Sequence, residues 1–173
     1  VLNLFAYTGG ATVAALAAGA AVTHVDASKG MVQWAKENAA ASGLQDRPVR
    51  WLVDDCLKFI RREIRRQNSY DIIIMDPPSY GRGPGGEVWK FENGLSELLT
   101  LTSEILSPEA KLLLINCYTT GMSPTIMNYM TRELFSKGRG GTVFTDEIGL
   151  KITHKELVLP CGSTTVWKAP HVE

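Results

Sequence analysis

The chain has 173 residues, of which 45% are hydrophobic, 21% charged and 8% aromatic, a composition that fits one folded domain and excludes disordered or collagen-like polymers. Eighteen Lys and Arg balance eighteen Asp and Glu, so the formal net charge is +0 and no global basic field gathers a polyanion from a distance. Cys56, Cys117 and Cys161 are widely separated and form no CxxC pair, which argues against a disulfide framework or zinc knuckle and for a reducing cytoplasm.

Residues 11–22 are apolar but Ala-rich and broken by glycine, short of the roughly 18 consecutive apolar residues of a membrane span. Neither anchor, signal peptide nor membrane partner is expected. Val1-Leu2-Asn3-Leu4-Phe5 opens directly as a strand, without an initiator Met or polar cap. Residues 1–173 therefore read as one catalytic-type domain cut from a longer chain.

The first strand, residues 1–5, meets Tyr7-Thr8-Gly9-Gly10 and then a small-residue helix over 11–19. A second strand over 21–25 ends at Asp26, and Ser28 caps a helix over 29–42 that Gly43 stops. The third strand, 49–53, ends at Asp54-Asp55 before an amphipathic helix over 57–67 whose arginines line a solvent face. Residues 70–75 form an apolar, β-branched run typical of a central buried strand, broken by Asp76-Pro77-Pro78-Ser79-Tyr80. A flexible glycine- and proline-rich loop is expected over 81–86, then a helix near 93–106, a strand over 111–116, a helix near 124–137, and strands near 142–145 and 156–168. This alternation predicts an α/β fold with a largely parallel sheet.

Ligands of such sheets bind beyond the carboxyl ends of the strands, where Tyr7 to Gly10, Asp26, Asp54-Asp55 and Asp76-Pro77-Pro78 would share one crevice. Gly9 and Gly10 let the backbone approach a ligand, and the Asp26 carboxylate suits the two hydroxyls of a ribose, which together imply a nucleoside-containing cofactor. The turn Gly9-Gly10-Ala11-Thr12-Val13 lacks G-x-G-x-x-G and so argues against a dinucleotide oxidoreductase. Asp55 suits an adenine amine and equally suits a helix N-cap. The consecutive prolines fix a rigid loop that presents carbonyl and carboxylate acceptors to an amine, and Tyr80 adds a face for stacking a flipped base.

At this point the chain resembles the class I S-adenosylmethionine-dependent methyltransferases, and among them the bacterial large-subunit ribosomal RNA methyltransferases of the cytosine-5 type. The likeness is carried by residues 1–10, Val25-Asp26-Ala27-Ser28, Trp34-Ala35-Lys36-Glu37-Asn38, Asp54-Asp55 and Asp76-Pro77-Pro78-Ser79-Tyr80. It implies a Rossmann-like, doubly wound, mostly parallel seven-stranded sheet with an antiparallel last strand. It also implies S-adenosylmethionine as cofactor: Phe5, Tyr7, Thr8, Gly9 and Gly10 around the methionine, Asp26 with Ala27 and Ser28 at the ribose, and Asp54, Asp55 and Cys56 toward the adenine. Asp76, Pro77 and Tyr80 would frame the methyl acceptor. Relatives of this type carry an N-terminal accessory domain, which would hold RNA and reconcile a ribosomal RNA partner with the neutral charge.

Methyl transfer from a sulfonium is an in-line displacement that needs no metal, and His24, His154 and His171 lack ligand-like spacing. An amine acceptor needs only orientation by Asp76 and the Pro77 carbonyl, whereas carbon-5 of a pyrimidine needs a thiolate at carbon-6. Cys117, in Asn116-Cys117-Tyr118-Thr119, stands where the resembled branch has its nucleophile, although a strand Cys is also a small buried hydrophobe. Pro160-Cys161-Gly162 falls in the last strand and reads as structural. Arg61, Arg62, Arg65 and Arg66 read as a solvated helix face, with Arg82 and Lys90 better placed for nucleic acid. The rival functions are a small-molecule or protein methyltransferase, a cofactor-binding module without catalysis, and an NAD-dependent oxidoreductase.

Overall fold

The computed structural model describes residues 1–83 and 85–172. Pro84, in the expected flexible loop, and Glu173, at the end of the expected domain, lie outside the described residues. In chain order the elements are β1 (Leu2–Leu4), α1 (Gly10–Ala17), β2 (Val22–Asp26), α2 (Lys29–Ala41), β3 (Val49–Val53), α3 (Cys56–Arg65) and β4 (Ile72–Met75). There follow β5 (Tyr80–Arg82), β6 (Val88–Lys90), α4 (Phe91–Glu104), β7 (Leu112–Cys117), α5 (Pro124–Thr131), a π-helical turn at Arg132–Ser136, β8 (Thr142–Lys151) and β9 (Val158–Lys168).

Seven strands form one sheet in the order β3-β2-β1-β4-β7-β9-β8, and β5 pairs with β6 alone. β3, β2, β1, β4 and β7 are parallel, while β9 runs antiparallel to both of its neighbours. This is the expected doubly wound, Rossmann-like sheet with an antiparallel last strand. Its strand order reverses between β1 and β4, the switch point at which such sheets open a crevice.

Period-2 alternation decides which residues face which helical layer. Leu2, Leu4, Ile73, Met75, Leu113 and Ile115 turn to one side and bury against Phe59 and Ile60 of α3, Leu98 and Leu99 of α4 and Met127 of α5. The other side carries a smaller cluster in which Leu16 of α1 and Ala39 of α2 meet Val22 and Trp51. Side chains close the helix starts: Ser28 accepts from the Met31 N–H, Asp55 from Lys58 and Ser123 from Thr125, the last followed by Pro124.

The loop expected over 81–86 is flanked by a strand pair, Tyr80–Arg82 against Val88–Lys90, which Trp89 and Glu87 anchor to the body. Three expectations are corrected. α4 begins at Phe91 because that ring is fully buried in the core. β8 runs on to Lys151, because β9 supplies ladder partners along its whole length despite the polar Asp146-Glu147 step. The helix expected to 137 changes to a π-helical turn at Arg132. The helix face that carries Arg61, Arg65 and Arg66 is exposed, as expected, and on it Arg61 pairs with Glu97 and Arg66 with Glu63, while the half-buried Arg62 pairs with Asp54.

Glu63 is the one buried carboxylate among the described residues that the sequence did not single out, and it lies at the amino end of the strands, opposite the crevice. It accepts from Tyr70 Oη at 2.6 Å, Asn68 Nδ2 at 3.0 Å and Arg66 Nη1 at 3.1 Å, with Arg50 Nη1 at 3.6 Å. No helix in the described residues is long and apolar enough to cross a membrane.

Candidate functional site

The crevice begins where β1 ends. Phe5 and Tyr7 adopt φ of 54° and 49°, in the left-handed region that costs a non-glycine residue about 1–3 kcal/mol and that persists where the surroundings over-determine it. The surroundings here are explicit. The Phe5 N–H donates to Cys56 Sγ at 3.3 Å, the Tyr7 N–H to Asp26 Oδ2 at 2.8 Å, and Asn38 Nδ2 to the Thr8 carbonyl at 2.8 Å. Gly9 has φ of 83°, and a Cβ there would stand 2.8 Å from Cβ of Ala35 on α2. Only glycine lets this turn pass.

Asp26, at the end of β2, takes one backbone donor on each oxygen: Tyr7 N–H on Oδ2 and Ser28 N–H on Oδ1, both at 2.8 Å. Each oxygen keeps a second acceptor site. At the end of β3, Asp54 is held by Arg62, while Asp55 caps α3 through Oδ1 and its Oδ2 has no side-chain partner among the described residues. The Cys56 side chain is 3% exposed, and burial pushes its thiol well above the ordinary value, so any ligand contact it makes comes from its backbone.

Beneath the glycine turn runs a buried polar chain. Asn3 Nδ2 donates to Thr12 Oγ1 at 2.9 Å, and Thr12 Oγ1 lies 2.9 Å from His24 Nδ1. Burial lowers the His24 pKa to about 4, against a smaller opposing effect of Asp26, so the ring is neutral. Its other nitrogen has no hydrogen-bond partner and the ring leans on Trp51 with centroids 4.9 Å apart.

A cavity of about 260 Å³ opens above the turn, lined by Phe5, Tyr7, Gly9, Gly10, Asp76 and Asn116 among others. Asp76 thus joins the turn to the far side of the crevice. Its Oδ1 accepts from Asn116 Nδ2 at 3.0 Å, and Asn116 Oδ1 in turn accepts from Thr164 Oγ1 at 2.7 Å. Burial, and then the neighbouring Asp76 carboxylate, raise the Tyr118 pKa to about 12. The loop after Asp76 is tied down by Trp89 Nε1–H to the Pro78 carbonyl at 2.7 Å and by Thr119 Oγ1 to Ser79 Oγ at 3.0 Å. Next to it a second cavity of about 460 Å³ is lined by Cys117, Tyr118, Met122, Glu147, Cys161 and Ser163 among others.

Residues 1–136 match the family profile described as S-adenosylmethionine-dependent methyltransferase. The chain belongs to the S-adenosylmethionine-dependent methyltransferase family. It is 37% identical over 118 residues to the ribosomal RNA large subunit methyltransferase K/L of Shewanella frigidimarina, a match that covers 67% of this chain and 16% of that protein. Among solved structures, the SAM-dependent methyltransferase of Agrobacterium tumefaciens superposes with a TM-score of 0.92 at 44% identity, covering 96% of this chain and 55% of that one. SMU.776, solved as a complex with S-adenosylhomocysteine, superposes at 0.71 with 26% identity, covering 96% of this chain and 44% of that one. The chain thus spans about a sixth of the curated relatives it matches.

S-adenosylmethionine is the cofactor of this methyltransferase family, and the residues present fit it: a turn cleared of side chains at Gly9 and Gly10, and acceptor sites left open on Asp26 and Asp55. The structure brings Phe5, Tyr7, Thr8, Gly9, Gly10, Asp26, Ala27, Ser28, Asp55 and Asp76 to the carboxyl ends of the strands as one group. Pro77 is buried, whereas Tyr80 is 52% exposed on β5, outside the cofactor cavity. Cys117 is 3% exposed, its thiol raised by burial, at the wall of the larger cavity. Cys161, read from sequence as structural, is exposed at that same cavity, because β9 pairs Ser163 with Cys117. Sequence reasoning gave no role to Asn116 and Tyr118. The signal for Asn116 was an amide closing an otherwise apolar strand.

Proposed function

We propose that this chain is the catalytic domain of a cytoplasmic methyltransferase that modifies a base in large-subunit ribosomal RNA. The observation that carries the reading is the Asp76 carboxylate, which lines the cavity above the glycine turn and is held by Asn116, whose next residues, Cys117 and Tyr118, line the larger cavity. One wall thus separates a cofactor from an acceptor. The relatives named as ribosomal RNA methyltransferases supply the substrate class.

In this reading Phe5, Tyr7, Thr8, Gly9 and Gly10 enclose the methionine part of the cofactor, Asp26 with Ala27 and Ser28 holds the ribose, and Asp54, Asp55 and the Cys56 backbone edge the adenine. Bound there, S-adenosylmethionine supplies an electrophilic sulfonium methyl. Asp76, itself oriented by Asn116, and the Pro77 carbonyl accept hydrogen bonds from the incoming base and aim its nucleophilic atom, so that positioning carries the catalysis. Tyr80 offers the base a stacking face, and Arg82 and Lys90 on the same face of the hairpin meet phosphates. Cys117 supports a second reading, thiolate addition to a pyrimidine, because it lines the acceptor cavity. An accessory domain outside this chain would hold most of the RNA, as the net charge of +0 suggests.

The test is labelled methyl transfer by the intact protein to large-subunit ribosomal RNA from cells lacking the gene. Incorporation into that RNA is expected, and labelling of protein or small molecules instead would sink the substrate assignment. Cys117→Ala separates the two chemistries: retained turnover is expected for orientation by Asp76, and abolished turnover would establish the thiolate.

A further inference from the structure

We propose that Trp89 is a positioning residue that locks the acceptor loop to the cofactor turn, so that a cofactor seated against Phe5 also orders Pro78 and the hairpin behind it. This rests on the assignment of the crevice to the cofactor and of residues 76–80 to the acceptor.

The hairpin sorts its side chains by face. The cross-strand pairs Tyr80 with Lys90 and Arg82 with Val88 stand on one face and are exposed, whereas the pair Gly81 with Trp89 turns to the other. From that inner face the Trp89 ring lies against Phe5, with centroids 5.3 Å apart and planes at 46°, a tilted arrangement favourable to aromatic pairs. The same side chain donates Nε1–H to the Pro78 carbonyl at 2.7 Å. Phe5 is the residue that leaves β1 at φ of 54°, and Pro78 belongs to the rigid loop after β4. A single side chain therefore touches both halves of the site.

The surroundings are cleared for this ring. Gly94 lies inside α4, where glycine is less favourable than alanine, yet a Cβ there would come within 2.8 Å of Cε3 and Cη2 of Trp89. Across the hairpin, a Cβ at Gly81 would crowd Pro78 Cγ at 3.3 Å and sit in ordinary contact with Trp89 Cδ1 at 3.9 Å. The hydrogen bond also has a chemical consequence. Trp89 occupies one of the two acceptor sites of the Pro78 carbonyl and fixes the direction in which that carbonyl points.

Hydrogen exchange on the intact protein, with S-adenosylhomocysteine as the probe, tests the coupling without any substrate. In the unmodified protein, saturating S-adenosylhomocysteine should slow exchange of the amides of residues 79–91 at least fivefold. Trp89→Phe keeps a ring against Phe5 and loses the N–H, so it should bind the probe within threefold of normal while losing the hairpin protection. Gly94→Ala displaces the ring without touching either loop and should do the same, and in a Trp89→Ala background it should add nothing. Protection retained in both Trp89→Phe and Gly94→Ala, or absent from the unmodified protein, would overturn the proposal. Asp26→Ala separates it from the reading beneath it: unchanged affinity there refutes the crevice assignment itself, whereas weakened affinity beside an unaltered Trp89→Phe protein refutes the lock alone.

Discussion

Both ends of the sheet hold carboxylates out of bulk water, and they differ in how completely their acceptor sites are filled. At the amino end, Glu63 is fully buried and takes Tyr70, Asn68 and Arg66, with Arg50 close by. Burial pushes its pKa up, but the hydrogen bonds and charges around it outweigh that and hold it below the ordinary value. At the carboxyl end, Asp26 takes a single backbone donor on each oxygen, and Asp76 takes Asn116 on one oxygen. A saturated carboxylate ties strands and helix together and has nothing left to offer a ligand. A half-filled one is held in place by the fold and still has lone pairs to give. The comparison separates scaffold from recognition by counting acceptor sites, where burial alone would have ranked Glu63 first.

The sharpest way to break that contrast is Glu63→Ala, which leaves a buried phenol, an amide and two guanidinium groups without their acceptor. Denaturant unfolding should show a loss of about 3–5 kcal/mol, with S-adenosylhomocysteine affinity unchanged within twofold. A parallel collapse of binding would mean that the two ends are not separable. Next comes the ground under the crevice. His24 has a pKa of about 4 against an ordinary 6.5, so between those values the unfolded chain binds a proton that the folded chain refuses. Stability should be complete above about pH 6.5 and fall by about 3 kcal/mol as the pH drops to 4, and His24→Gln should flatten that limb of the profile. An equally steep acid limb in the variant would assign it to the carboxylates.

Asp26→Asn probes the half-filled site directly. Calorimetry should show S-adenosylhomocysteine bound about 100-fold more weakly, about 2.7 kcal/mol, with stability changed by less than about 1 kcal/mol. Loss of stability without loss of affinity would make Asp26 a second Glu63. The smallest effect is expected at Ser28→Ala, whose hydroxyl caps α2 through a bond of 3.4 Å; its removal should cost about 0.5 kcal/mol by thermal unfolding.

The crevice was legible in the sequence because parallel strands that alternate with helices must all end on one side. Tyr7 to Gly10, Asp26, Asp55 and Asp76 follow four such strands directly. The N-cap reading of Asp55 holds through Oδ1. What escaped the sequence depends on partners distant along the chain. Glu63 sits among arginines that read as a solvent face, and the partners that enclose it, Arg50, Asn68 and Tyr70, come from outside α3. Residues 81–86 look like a loop because their glycines and Pro84 dominate the local pattern, while the Trp89 contacts that anchor β6 reach back to Phe5 and Pro78. Cys161 joins Cys117 at one cavity through the antiparallel pairing of β7 with β9, a register that no local signal announces.

The buried chain from Asn3 to His24 has one more consequence, which concerns a single hydrogen atom. The Asn3 amide nitrogen can only donate, so the Thr12 oxygen accepts there and keeps its own proton and a second lone pair, and the bond to His24 Nδ1 uses one of these two. The choice fixes which ring nitrogen carries the imidazole proton: Nε2 where the hydroxyl donates, Nδ1 where it accepts. In a nitrogen NMR spectrum the two ring nitrogens would report that choice. A displaced glycine turn would be seen there first, as the two ring nitrogens lost their separate shifts.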